Sequence, residues 1–270
     1  MHKESFQLSI LIGALATTLF LQVFSNLAND YGDFKNGIDN DKRVGPKRSV
    51  QSGEITSRQM LTGIIICAAL SFISGIWLLF EVSKTTDFTV VIGFLIIGLL
   101  AIGAAIKYTV GKNPYGYRGL GDIAVFFFFG IAGVAGTYFL HTNEINWMEL
   151  MPAISIGFLA TGVLNLNNLR DIENDRESGK RSLVVILGLK KAKIYHTFLV
   201  LGAIIVIFIY TFLNYHSSYQ FLFLVAVPML LQNVIVVIRS NRSTEFDAEL
   251  KKLAIATLIF AVTTGLGLNY

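Results

Sequence analysis

Eight stretches of this chain, each about 18–22 residues long, are apolar enough to cross a lipid bilayer, and they bound everything else it can be. They lie near residues 8–28, 59–80, 88–107, 122–141, 149–169, 194–213, 219–238 and 250–268. A hydrocarbon core of about 30 Å offers the backbone no water, so each span must satisfy its own hydrogen bonds as a helix. The expected fold is an all-α polytopic membrane protein. Composition agrees: the chain is 53% hydrophobic and 15% charged, with a mean hydropathy of +0.60. A soluble domain carries about a quarter charged residues. The 24 glycines and four prolines suit closely packed membrane helices. The single cysteine, Cys67, lies inside an apolar run and excludes a disulfide within the chain. The first apolar run is too long for a cleaved signal and lacks a basic flank and a cleavage site.

The basic residues divide unequally between the two sides. All but Lys3 and Lys84 of the 22 lysines and arginines fall in the segments 29–58, 107–121, 170–193 and 239–252, which alternation places on one face. That bias predicts that these segments are cytoplasmic, as expected for a cytoplasmic (inner) membrane protein. The net charge of +4 brings no basic stripe or nucleic-acid motif, so no nucleic acid is expected as a partner. The lipid bilayer is.

Topology explains the basic residues but not the acidic ones among them. Residues 26–37 read N-L-A-N-D-Y-G-D-F-K-N-G, and residues 168–179 read N-L-R-D-I-E-N-D-R-E-S-G. At an offset of 142, Asn26 matches Asn168, Leu27 matches Leu169, Asn29 matches Asp171, Asp33 matches Asp175 and Gly37 matches Gly179. Each segment follows an odd-numbered helix, as a parallel internal repeat would give. Asn29 and Asp33 are four apart, as are Asp171 and Asp175, so a helix would present each pair on one face. Asp30 matches Ile172 and ranks below the others as a ligand.

Oxygen ligands without Cys or His nearby suit a hard cation, and Mg²⁺ takes one or two carboxylates and completes its shell with water and phosphates. The candidate metal set is Asn29, Asp30, Asp33, Asp39, Asp171 and Asp175, with a diphosphate as co-ligand. Lys42, Arg43, Lys112, Arg118, Arg170 and Lys180 suit the same anion. Tyr108, Tyr115, Tyr117 and Phe126–Phe129 are candidate aromatic faces for a cation, although most of the four phenylalanines are expected to face lipid. Asp122 reads equally as a helix N-cap or an active-site group. His2, His141, His196 and His216 lack metal-ligand spacing.

Three stretches make the chain recognisable: S-N-L-A-N-D-Y-G-D at 25–33, P-Y-G-Y-R-G-L-G-D at 114–122 and N-N-L-R-D-I-E-N-D-R-E-S-G-K at 167–180. They resemble the Asp-rich motifs of the UbiA superfamily of intramembrane prenyltransferases, in particular the subgroup whose acceptor is 1,4-dihydroxy-2-naphthoate. The resemblance implies a single transmembrane prenyltransferase domain over residues 1–270, a helical bundle of the UbiA type, and Asp-rich loops near 29–58 and 170–193. It implies Asn29, Asp33, Asp171 and Asp175 as the catalytic Mg²⁺-binding set. Lys42, Arg43, Lys112, Tyr115, Tyr117, Arg118, Arg170 and Lys180 would bind diphosphate and substrate.

The family's third acidic position falls on Gly37, with Asp39 as substitute. The family usually has nine spans; the eight here correspond to the second onward, so the first, with its basic residue, is expected to be missing. The activity implied is transfer of a polyprenyl group from its diphosphate to 1,4-dihydroxy-2-naphthoate with loss of CO₂ and diphosphate, giving demethylmenaquinone. The alternatives are a 4-hydroxybenzoate-type acceptor or, from another class, an ion-coupled secondary transporter, which would place its ionisable groups near the midplane.

Overall fold

The computed structural model describes residues 5–38, 44–45 and 48–269. Its helices are α1 Leu8–Lys35, α2 Ser57–Val82, α3 Phe88–Thr109, α4 Gly121–Thr142, α5 Trp147–Arg170, the short α6 Ile172–Glu177, α7 Leu183–Leu213, α8 Ser218–Arg239 and α9 Ser243–Asn269. All but α6 are long and apolar enough to span a membrane, and the described residues contain no strand. The protein is an all-α, multi-pass membrane protein.

The ends of three spans differ from their expected positions. Helix α1 runs on to Lys35 instead of stopping near 28. Helix α7 starts at Leu183 instead of 194 and bends at Gly188, whose φ is 74°. Helix α9 starts at Ser243 instead of 250. In α7 the added residues 183–187 are an apolar turn set apart by the bend at Gly188, and the other two extensions share one cause. An apolar window marks only the part of a helix in hydrocarbon, whereas adding a residue to a helix already nucleated costs little even when that residue is polar. Asn29, Asp33 and Asp247, expected in loops, therefore sit in helices.

The two acidic segments end in the same way. After α1, Gly37 adopts φ 71°, Gly37 N–H donates to Phe34 O (3.1 Å) and Ile38 N–H donates to Asp33 O (2.9 Å). After α6, Gly179 adopts φ 77°, Gly179 N–H donates to Arg176 O (3.3 Å) and Lys180 N–H donates to Asp175 O (2.8 Å). Both are Schellman terminations, and each bond repeats at the offset of 142 read from the sequence. Glycine at these two positions is explained by its left-handed backbone, since a Cβ on either would meet nothing within 4 Å.

Two compact units make up the chain. The amino-terminal one takes the residues up to Arg118 together with Thr137–Glu144; the carboxy-terminal one takes Gly119–Gly136 and the residues from Ile145 onward. In the first, Ile10, Leu78, Val82 and Leu140 form the core. Gly32 of α1 lies so close to α3 that a Cβ would come within 2.3 Å of Thr109 Oγ1. In the second, Leu159, Leu166, Leu169, Leu253 and Phe260 are fully buried around α5. Ser155 Oγ donates to Ala203 O (2.8 Å), joining α5 to α7. Buried His196, Asn233 and Glu249 link α7, α8 and α9: His196 Nε2 meets Asn233 Oδ1 at 2.9 Å, and Asn233 Nδ2 donates to Glu249 Oε2 at 2.9 Å. Such bonds compensate polar groups in lipid. Lys193 closes the end of α8 by donating to Ile238 O, Ser240 O and Asn241 Oδ1.

Helix α4 widens to π geometry over Phe126–Ala135. There Gly130 lies against α5, where a Cβ would be 2.7 Å from both Ala153 O and Gly157 Cα. A methyl group has no room at this crossing. Gly130→Ala should therefore destabilise the detergent-solubilised protein by about 1–3 kcal/mol. Gly98→Ala, with nothing within 4 Å of the new Cβ, should leave it unchanged. Thermal unfolding of the two variants side by side checks this.

Candidate active site

In the amino-terminal unit, Asn29 and Asp33 lie four residues apart on the last turns of α1, one face as expected. Asp33 is buried, and the Tyr117 hydroxyl donates to its Oδ1 at 2.6 Å. Asn36 donates to that hydroxyl oxygen (3.3 Å) and to Thr109 O (2.8 Å), tying the 3₁₀ turn Tyr115–Arg118 to the end of α1. Asp30 forms an ion pair with Arg48 at 2.8 Å. Tyr115 sits edge-to-face on Tyr108, centroids 5.4 Å apart. Burial pushes its hydroxyl pKa up to about 12, so it stays neutral at physiological pH. Lys112 and Arg118 are exposed. Asp39, Lys42 and Arg43 lie outside the described residues.

In the carboxy-terminal unit, helix α5 ends at Arg170, and Asp171 is the junction residue with φ −97° and ψ 9°. The chain turns there instead of continuing straight, which a spacing of four alone does not reveal. The single-turn relation survives, because Asp175 N–H donates to Asp171 O at 2.8 Å. Buried Arg170 grips Asp171 with two prongs, Nε to Oδ1 at 2.9 Å and Nη2 to Oδ2 at 2.6 Å. Its remaining donors reach Asp247 Oδ1 (3.0 Å) and Asn167 Oδ1 (2.9 Å). Buried Lys180 lies 3.7 Å from Asp175 Oδ1. Arg170 and Lys180, expected to meet an anion, thus pair with the two aspartates of their own motif.

Sequence reading missed Asp247, Arg48 and Asn36. Asp247 lies 77 residues from Arg170, beyond any local pattern. The one available signal was its place in a polar stretch on the basic side. Asp122 is not an N-cap: Leu120 holds that position, and Asp122 makes no capping bond. Phe127 and Phe129 are exposed as expected, while Phe126 packs on Phe158 with centroids 5.5 Å apart.

The donor set fits Mg²⁺. Asn29 Oδ1 is buried without a hydrogen-bond partner, an oxygen whose desolvation nothing in the protein offsets. Among the described residues, no three His, Cys, Asp or Glu side chains converge as a closed cage. Mg²⁺ keeps several waters and draws ligands from substrate phosphates. Asp33 and Asp171 each accept a hydrogen bond that fixes their orientation, and Asp175 lies 3.7 Å from the Lys180 ammonium.

Eight spans and two carboxylate motifs at helix ends define an intramembrane helical protein of prenyltransferase type. Comparison with known proteins agrees: residues 2–262 match the model of the UbiA prenyltransferase family, and the chain belongs to that family. It is 40% identical to the 1,4-dihydroxy-2-naphthoate octaprenyltransferase of Haemophilus influenzae, over 99% of this chain and 86% of that one. It is 46% identical to the Escherichia coli protein of the same description, over 84% of this chain and 73% of that one. Among solved structures, the apo UbiA homolog of Aeropyrum pernix superposes with a TM-score of 0.63 at 16% identity, covering 98% of this chain and 90% of that one. The Archaeoglobus fulgidus homolog bound to GPP and Mg²⁺ gives 0.60 at 17% identity, covering 98% and 89%. At such identities the likeness is one of fold.

Removing the Arg170 guanidinium would leave Asp171 and Asp247 as buried or half-buried anions without their partner. Arg170→Gln should cost about 3–5 kcal/mol of stability. Arg170→Lys should recover only part, because an ammonium lacks the planar fork. Unfolding of the variants in detergent tests both statements.

Proposed function

We propose that this protein transfers a polyprenyl group from polyprenyl diphosphate to 1,4-dihydroxy-2-naphthoate in a Mg²⁺-dependent reaction. One observation carries the reading. The same oxygen-ligand pair, on one helical turn closed by the same Schellman bond, occurs twice at an offset of 142, with Asp33, Asp171 and Asp175 held by donors. The similarity to two enzymes described as acting on the naphthoate, over most of each chain, supports that acceptor. The whole of residues 1–270 acts as one domain. It lies in the cytoplasmic membrane with the Asp-rich helix ends facing the cytoplasm, as the basic bias favours.

Asn29, Asp33, Asp171 and Asp175 would hold the metal. Bound there, Mg²⁺ supplies charge neutralisation for the departing diphosphate. Tyr117 keeps the Asp33 carboxylate oriented, and Arg170 and Lys180 do the same for Asp171 and Asp175. Exposed Lys112 and Arg118 offer further positive charge to the diphosphate oxygens, where it helps most as the bond breaks. The allylic C–O bond cleaves with its electron pair leaving on diphosphate. The ring carbon bearing the carboxylate forms the new C–C bond, and the bond to CO₂ breaks with its pair returning to the ring. The paired rings of Tyr108 and Tyr115 present electron-rich faces to the transient allylic cation.

The test uses membranes containing the full chain, a polyprenyl diphosphate, the naphthoate and Mg²⁺. A prenylated, decarboxylated product should form, and EDTA should abolish it. Asp33→Ala and Asp175→Ala should each lower kcat/KM by about a hundredfold or more. Asp30→Ala should cost far less, because its counterpart in the repeat is the apolar Ile172. No product, or product that persists in EDTA, contradicts the reading. Turnover of 4-hydroxybenzoate in its place would keep the chemistry and change the acceptor.

A further inference from the structure

Polar groups deep in a membrane protein need partners, and among the described residues of the carboxy-terminal unit several outside the Asp motifs have buried groups without one; Asn165 and Asp122 are those with an amide or a carboxylate. Asn165 of α5 is fully buried, and neither its amide nitrogen nor its amide oxygen has a hydrogen-bond partner. Asp122 at the start of α4 is 4% exposed, and its Oδ1 also has none. Tyr195, on α7, lies near enough to the same Asp122 carboxylate to interact with it.

Helix register brings these three residues to one level. Helices α4 and α5 run antiparallel, with Phe126 against Gly157 and Gly130 against Ala153 and Gly157. One turn further, Asp122 falls level with the turn Thr161–Asn165. Helices α5 and α7 are likewise antiparallel, with Gly162 facing Val200 and His196. That register puts Tyr195 at about the level of Asn165. Six residues separate Asn165 from Asp171, so the cluster lies about 9 Å along α5 from the metal-binding end.

We propose that Asn165 and Asp122, with Tyr195 orienting the latter, recognise the hydroxyl groups of the aromatic acceptor. The inference rests on the prenyl-transfer reading above. The chemistry of the reactants selects the occupant. A prenyl tail has no hydrogen-bonding group to offer Asn165. A diphosphate would meet the Asp122 carboxylate as one anion meets another. A dihydroxylated ring offers a hydroxyl donor to Asp122 Oδ1, and a hydroxyl that both accepts from and donates to the Asn165 amide. It must also lie beyond the diphosphate along the prenyl chain, on the allylic carbon's side, and the 9 Å offset provides that place. A site built to hydrogen-bond a substrate hydroxyl rejects an analogue without it, because its own buried groups are then left unpaired.

The experiment measures KM for the naphthoate and for polyprenyl diphosphate separately, in membranes containing the wild-type chain, Asn165→Leu and Asp122→Asn. Leucine keeps the approximate volume and suits a membrane helix. Unfolding in detergent and the KM for polyprenyl diphosphate report whether the fold is intact. The expected result for both variants is an acceptor KM raised about tenfold or more. The KM for the diphosphate and the Mg²⁺ requirement should stay unchanged. The wild-type preference for the dihydroxy acceptor over 1-hydroxy-2-naphthoate should shrink in Asn165→Leu by a similar factor. An unchanged acceptor KM, or an equal loss toward both substrates in a folded variant, overturns the inference while leaving the prenyl-transfer reading in place. A wild-type chain that turns over no naphthoate overturns both.

Discussion

A carboxylate at the edge of hydrocarbon must be compensated, and the ends of α1, α5 and α6 are organised around that requirement. Arg170 spreads its donors over Asp171, Asp247 and Asn167; Lys180 faces Asp175; Tyr117 serves Asp33; Arg48 serves Asp30. These contacts hold acidic oxygens at helix ends. The helix terminations serve the same end. With Asp33 O and Asp175 O accepting from the residues after Gly37 and Gly179, both acidic turns are closed by backbone bonds and not by side chains.

Much of this was legible in the sequence because its causes are local. Apolar length announced the eight spans, and a spacing of four announced the paired oxygens. The offset of 142 announced a repeat whose equivalence extends to individual backbone bonds. Even the low rank of Asp30 followed from its apolar counterpart Ile172. What escaped had non-local causes. The partnership of Arg170 with Asp247 depends on α9 starting at Ser243, ahead of its apolar part. The assignment of Arg170 and Lys180 to an anion overlooked the aspartates beside them. The turn at Asp171 is a dihedral property that composition does not encode. Asp122 stood at a helix start, where capping was a fair expectation; its contact with Tyr195 joins helices far apart in sequence.

The two kinds of polar site in the carboxy-terminal unit differ in a way that suits a two-substrate reaction. At the helix end, Asp171 and Asp175 pair with cations and present oxygens, as metal and phosphate require. Further along α5, Asn165 and Asp122 keep polar atoms without partners. The first arrangement is already compensated and awaits a cation. The second is incomplete without a ligand. In the same unit His196 Nε2, Asn233 and Glu249 complete one another across three helices.

On the function proposed above, both acidic motifs carry divalent ions that bind together with diphosphate. The most direct measurement is the stoichiometry of Mn²⁺ bound to the purified chain, read by electron paramagnetic resonance with and without inorganic diphosphate. Two ions per chain should bind tightly only when diphosphate is present, and both Asp33→Ala and Asp175→Ala should lower that number. Full binding in either variant, or binding indifferent to diphosphate, would contradict the account.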